Sequence, residues 1–269
     1  MTRLKTATLI AALAVPATAM ADTFVLVHGA FQTGAVWDGT VAALEAAGHS
    51  AIAVDLPGRP GDGRIPGEVT MSDHVANVIS VIEAAGPDPV VLVGHSFGGM
   101  TISAVAEAAP DRIATLVYVA AYLPAVDQNP GESMQDLALS DRHGGWQADS
   151  FVVAPDYATA SVNPRDRAAL FANDADTDLA AAIAAAMVDE PLAPIATPVA
   201  LTLARFGQVR AAYVVTLRDR AVSTDLQLTM LGRGSVAEAV PMDTGHAPHQ
   251  VDPQAMAAAL IRAATPEVE

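Results

Sequence analysis

The stretch Val90 to Met100, VVLVGHSFGGM, constrains this chain more than any other. Val90 to Gly94 are apolar or small, which suits a strand buried on both faces. Gly94-His95-Ser96-Phe97-Gly98 then fits G-x-S-x-G, in which a strand turns sharply into a helix and holds a serine on a strained tip, oxygen outward. The glycines are needed because a side chain there would collide with the turn. The flanking elements, an apolar strand before and a helix of small residues from Phe97 to Ala109 after, separate this pattern from an ordinary Gly-rich turn.

Strands alternate with helices along most of the chain. Thr23 to His28, Ala51 to Asp55, Val90 to Gly94, Ile113 to Val119, Ala211 to Thr216 and Val236 to Met242 are β-branched or apolar runs of strand length. Val36 to Ala47, Ser72 to Ala85, Phe97 to Ala109 and Pro253 to Ala263 read as helices. This predicts an α/β fold with a mostly parallel, doubly wound sheet covered on both faces, whose ligands bind beyond the carboxyl ends of the strands. With 269 residues, 52% of them hydrophobic and 16% charged, and no repeat or Gly/Ser-rich linker, the chain reads as one globular domain carrying an insertion.

A serine hydroxyl is a weak nucleophile and needs a base, which needs an orienting acid. On a serine of this kind the acid and the histidine follow in chain order, on loops after later strands. YVVTLRDRAVS ends a strand and carries Asp219; AVPMDTGHAPHQVD ends the next and carries His246. Among the seven histidines, His249 is the serious rival, three residues on in the same loop and expected at the pocket rim. His28, His49, His74, His95 and His143 lie elsewhere. Asp225, expected on a helix, and Asp243, in the histidine's own loop, suit the acid role less well than Asp219. The two amides that would hold a developing oxyanion are those of Phe97, just after the serine, and Ala30, in the loop after the first strand.

The first 21 residues differ from the rest. Arg3 and Lys5 precede the apolar run Leu9 to Val15, and Ala19-Met20-Ala21 supplies the small residues that a signal peptidase accepts, so residues 1–21 read as a secretory signal and the protein as periplasmic or secreted. Removing them moves the formal charge from −16 to −18, a field that makes nucleic acid and anionic membrane surfaces poor partners. With no cysteine the chain has neither a lipoprotein anchor nor disulfides. Lys5 is its only lysine, so the mature chain has no Schiff-base or phosphate-binding lysine.

From Thr23 to the C-terminus the chain resembles the α/β-hydrolase superfamily, and within it the branch that holds plant methyl-ester esterases, hydroxynitrile lyases and their bacterial esterase relatives. FVLVHGAFQTGAVWDGTVAALEAAGHSAIAVDLPG and VVLVGHSFGGM carry the superfamily resemblance; HGA, AAYLP in LVYVAAYLP, YVVTLRDR and TGHAPHQVDP point to the branch. The resemblance implies a serine hydrolase that uses Ser96, His246 and Asp219 on a small carboxylic ester, without metal or cofactor, and with His28, Gly29 and Tyr122 against the substrate. Lyases of that branch carry a threonine after the first-loop histidine and a lysine after the catalytic one. Here those positions are Gly29 and Ala247, the esterase pattern. A lyase or cofactor-free perhydrolase using the same triad, and a non-catalytic binding protein, are the alternatives.

Residues 22–123 and 199–269 are read as the core, and 124–198 as the insertion, which matches the branch weakly. The resemblance implies a helical cap whose apolar residues, Met134, Leu137, Trp146, Phe151, Tyr157, Phe171, Met187 and Leu192, are divided between the cap's own core and a pocket wall. Expressed in a Gram-negative host with its own leader, the protein should be recovered in the periplasmic fraction with Asp22 as its N-terminal residue. N-terminal sequencing checks this, and cytoplasmic protein retaining Met1 would contradict it.

Overall fold

The computed structural model describes residues 21–126, 145–233 and 236–265. Its centre is a six-stranded sheet, all parallel, built from β1 (Thr23–Val27), β2 (Ser50–Val54), β3 (Val90–His95), β4 (Ile113–Val119), β8 (Ala211–Thr216) and β9 (Glu238–Met242) in the order β2-β1-β3-β4-β8-β9. The period-2 alternation of these strands divides the core in two. Val25, Val27, Val90, Leu92, Leu116, Tyr118, Tyr213 and Val215 face α2 (Met71–Ala85), α3 (Gly98–Ala108) and α7 (Thr224–Leu231). Their neighbours Phe24, Leu26, Val91, Val93, Val117, Val119, Ala212 and Val214 face α1 (Asp38–Ala46) and α9 (Pro253–Ala264). Burial on both faces is why the inner strands β1, β3, β4 and β8 are dominated by apolar residues. The predicted strands and helices are all present, with boundaries moved by a few residues at most.

The helices start where the sequence supplies caps. Thr70 and Asp73 form a reciprocal capping box at α2, and Asp252 accepts the Ala255 amide at the start of α9, where Pro253 follows it.

Between β4 and β8 lies the insertion. Among the described residues it carries α4 (Pro164–Phe171), α5 (Thr177–Ala186) and α6 (Leu192–Ala196), the helical content expected of a cap. It also carries a three-stranded antiparallel sheet, β5 (Phe151–Val153), β6 (Thr159–Val162) and β7 (Glu190–Pro191), which the reading as a helical cap did not include. Strands of two to four residues are too short to show a period in sequence. Of its apolar residues, Phe171 and Met187 are buried, Trp146 and Leu192 are partly buried, and Phe151 and Tyr157 are exposed; Met134, Leu137 and His143 lie outside the described residues. No helix among the described residues is long and apolar enough to cross a membrane.

The strand order places the site. From β1 the chain runs to one neighbour, β2, and then crosses back to the other, β3, so the loops after β1 and β3 diverge and leave a crevice at their carboxyl ends. The loop 28–33 and the turn carrying Ser96 border that crevice. Close packing here depends on glycine: a Cβ on Gly99 would lie 2.2 Å from the Tyr122 carbonyl oxygen. Gly99→Ala should therefore destabilise by about 1–3 kcal/mol through overpacking. Urea denaturation should show this as a lower midpoint at unchanged slope.

Candidate active site

The site starts from a backbone constraint. Ser96 has φ 52°, a left-handed conformation for a residue with a side chain, at a cost of roughly 1–2 kcal/mol. The turn holds because its neighbours have no Cβ. One on Gly94 would meet the Gly98 carbonyl oxygen at 2.8 Å, and one on Gly98 would meet the His28 carbonyl oxygen at 2.7 Å. The Ser96 amide donates to the Val119 carbonyl, and its carbonyl accepts the Gly99 and Tyr122 amides, which ties the turn to β4 and α3.

Ser96 Oγ lies 3.0 Å from His246 Nε2, and His246 Nδ1 lies 2.9 Å from Asp219 Oδ2. A carboxylate oxygen only accepts, so Nδ1 carries the proton, and Nε2 is free to accept from the serine hydroxyl. Asp219 is itself fully engaged. Its Oδ1 accepts the Ala221 and Val222 amides at 2.8 and 2.9 Å, and its Oδ2 also accepts the Thr216 hydroxyl at 2.9 Å and the Gln227 side-chain amide at 3.2 Å. Gln227, buried on α7, also accepts the Thr216 amide at 3.0 Å. This scaffold holds a buried carboxylate in one orientation. Sequence reasoning missed Gln227 and Thr216, since no motif marks a glutamine eight residues beyond the acid.

The loop after β1 lies against the serine. A Cβ on Gly29 would come within 2.8 Å of Ser96 Cβ, so the chain approaches as closely as it does only with glycine there. The Ala30 and Phe97 amides have no acceptor among the described residues, and they follow the β1 strand and the serine respectively. His28 is buried; its Nδ1–H donates to the Gly29 carbonyl at 2.8 Å, and its Nε2 accepts the Leu56 amide at 3.2 Å. Tyr122 is buried beside the turn, its amide on the Ser96 carbonyl. His95, the variable position of the motif, donates from Nε2 to the His246 carbonyl at 2.7 Å, and its Nδ1 lies 3.0 Å from Gln32 Oε1, which also accepts the Gly29 amide. His95 thus ties the loop of His246 to the end of β3, a role no residue pattern indicated.

The rival histidine is not at a rim. His249 lies on the short helix α8 (Pro248–Val251), fully buried, its ring 4.4 Å from those of Trp37 and His95. Neither of its nitrogens has a hydrogen-bond partner among the described residues, and it does not reach Ser96. Its ring instead packs in the core against Trp37 and His95. Asp225 is on α7 as expected, and Asp243 pairs with Arg218 at the surface. Among the described residues no group of three or more His, Cys, Asp or Glu could hold a metal ion.

The insertion makes hydrogen bonds to the loops that carry Asp219 and His246. Trp146 Nε1–H donates to the Ala221 carbonyl at 2.9 Å, Asn173 donates to the Arg218 carbonyl at 2.9 Å, and Asp174 accepts the Gly245 amide at 2.7 Å. Phe171 packs edge-on against His246 at 5.1 Å and against Phe31 and Trp146 at 6.3 and 6.1 Å. His246 is fully buried behind this aromatic wall.

A model of the alpha/beta hydrolase family matches residues 24–259, nearly the whole of the described chain. The chain belongs to the alpha/beta hydrolase family. It is 30% identical over 253 residues to Methylesterase 7 of Arabidopsis thaliana, covering 90% of this chain and 95% of that one. It is also 43% identical over 102 residues to the carbendazim hydrolyzing esterase of Nocardioides sp. (strain SG-4G), a match over 38% of this chain and 42% of the other. Among solved structures it is similar to polyneuridine aldehyde esterase, with a TM-score of 0.81 at 22% identity over 91% of this chain and 100% of that one, a likeness of fold. The protein is an esterase-type α/β-hydrolase.

Four buried histidines give the fold a pH dependence. Burial holds His249 down to about 3 and His74 to about 4, from an ordinary 6.5. His28, through burial and then Arg59, and His95, through burial and then its histidine neighbours, are also lowered well below it. Each is neutral in the folded protein and takes up a proton when the chain unfolds in acid. Stability is therefore fully present above pH 6.5 and is lost as pH falls toward the lowered values. His249→Phe, which keeps a ring against Trp37, should make the loss shallower by up to about 1.4 kcal/mol per pH unit between pH 6 and 4. Urea melts of both proteins across that range check this; equal slopes would contradict it.

Proposed function

We propose that this protein hydrolyses carboxylic esters of small, hydrophobic substrates through an acyl-enzyme, with Ser96 as nucleophile, His246 as base and Asp219 as the orienting acid. The observation that carries the reading is the unbroken Ser96–His246–Asp219 hydrogen-bond chain at 3.0 and 2.9 Å on a left-handed serine. Ser96 Oγ attacks the ester carbonyl as its proton passes to His246 Nε2, and Asp219 stabilises the imidazolium. The carbonyl oxygen becomes an anion received by the Ala30 and Phe97 amides, the second of them at the start of α3. His246 returns the proton to the departing alkoxide, and a water deprotonated by the same histidine then releases the acid.

Two features favour ester cleavage over the lyase alternative. Gly29 approaches Ser96 so closely that a threonine side chain would require the loop to withdraw, and no lysine stands beside His246. The name of the Arabidopsis relative, a methylesterase, brings methyl esters to the head of the substrate panel. The leader pattern at residues 1–21 supports a periplasmic or secreted site of action.

Ser96→Ala should lower kcat on p-nitrophenyl acetate by about three orders of magnitude or more with the fold intact. Folded variant protein that retains more than a tenth of the wild-type rate would overturn the assignment. Asp219→Asn should cost about 10⁴-fold in kcat by favouring the wrong tautomer of His246. His249→Ala should cost far less than His246→Ala; steady-state kinetics on the purified variants check both statements.

A further inference from the structure

Phe31 lies one residue beyond Ala30, at φ 63°. A phenylalanine holds a left-handed conformation only where its surroundings determine it, and the strain is of order 1–3 kcal/mol. Both of its backbone polar groups are held by the insertion. Its amide donates to Glu190 Oε2 at 2.8 Å, and its carbonyl accepts the Val188 amide at 2.9 Å.

Glu190, on β7, is completely buried, as is its partner Arg59. Arg59 Nη2 donates to Glu190 Oε1 at 2.9 Å and lies 2.7 Å from Oε2. Arg59 comes from the loop after β2, and that loop is itself locked to β7: Gly58, at φ +86°, has space for no Cβ, which would meet Pro191 Cγ at 2.4 Å. On the other side of Ala30, the Gly29 amide is fixed by Gln32 Oε1 at 3.2 Å. The peptide that carries the Ala30 amide is thus bracketed, by the core on one side and by the insertion on the other.

As a stabilising device this ion pair is poor. Two long charged side chains are taken out of water, and such pairs contribute little net stability compared with apolar residues of the same size. What the pair does supply is one fixed acceptor at one place. We propose that Glu190 is a positioning residue for the oxyanion hole: its side-chain oxygen accepts the Phe31 amide and so sets the direction of the adjacent Ala30 amide toward Ser96. The insertion must then be seated on the core for the hole to form. This rests on the reading of Ala30 as an oxyanion donor given above.

The test compares two double variants of the full chain, in both of which the charge pair is gone. Arg59→Met/Glu190→Gln keeps an acceptor for the Phe31 amide; Arg59→Met/Glu190→Met removes it at similar size. With p-nitrophenyl acetate the first should stay within about threefold of wild-type kcat. The second should lose about 10- to 100-fold in kcat with KM changed less than threefold, a fraction of the 10²–10³ that loss of a whole oxyanion donor costs. Its affinity for phenylboronic acid, which forms a tetrahedral adduct on the serine, should fall in step with kcat. Loosening of the fold alone would not reproduce that split. Equal kcat in the two double variants, or a fall in kcat without a fall in boronate affinity, would overturn the proposal. Glu190→Asp keeps the charge on Arg59 but shortens the reach, and it provides a second decision if the Met/Met chain does not fold: kcat at least tenfold down supports the proposal, and kcat within threefold of wild type refutes it. Boronate binding to the wild type and the inactivity of Ser96→Ala test the underlying site separately. If both hold while the Glu190 variants show no effect, only the positioning role fails.

Discussion

Four backbone approaches, each too close for a side chain, concentrate the architecture at one point. Gly94 against Gly98, Gly98 against the His28 carbonyl, Gly29 against Ser96 and Gly99 against the Tyr122 carbonyl press the loop after β1, the turn after β3 and the turn after β4 into a space that holds backbone alone. That compression keeps Ser96 in its left-handed conformation, with its hydroxyl against His246 Nε2. The crevice itself follows from strand order, since β1 lies between β2 and β3 and the chain reverses direction there.

Around that point the buried polar groups divide into two kinds. Asp219 and Glu190 are carboxylates whose oxygens are met by named donors, backbone amides among them, and each is thereby fixed in direction. The histidines His28, His95 and His249 are buried and neutral; His28 joins the loops after β1 and β2 through Nε2, and His95 joins β3 to the loop of His246 through Nε2. His249 contributes a ring to a stack and no hydrogen bond among the described residues. The carboxylates thus fix the groups around them and the neutral histidines pack, while His246 sits between the Asp219 carboxylate and the Ser96 hydroxyl.

What could be seen in the sequence was what is local. The central sheet strands are mostly apolar runs, and the serine announces itself by the glycines within two residues of it. His246 and Asp219 were singled out because each follows a strand that such a sheet needs, and the structure brings both into one hydrogen-bond chain with Ser96. His249, three residues beyond His246, could not be placed from spacing, because α8 begins between them and turns the later ring inward. Arg59 and Glu190 are 131 residues apart, and in a chain with 30 acidic residues nothing marks one glutamate as buried. The short strands of the insertion left no periodicity to read. Pairing between elements far apart in the chain is invisible until the topology brings them together.

The insertion makes hydrogen bonds to the loops after β1, β8 and β9, and so shares its boundary with the surroundings of Ser96, Asp219 and His246 rather than merely covering them. This bears on engineering. A chimera that exchanged residues 145–196 for the corresponding part of a relative, in search of a new substrate range, would replace the partners of Phe31, Ala221 and Gly245 together with the pocket wall. The exchangeable unit is the insertion with the three loops it grips, and divergence among relatives should leave those surfaces matched to one another within each protein, even where the sheet beneath them is interchangeable.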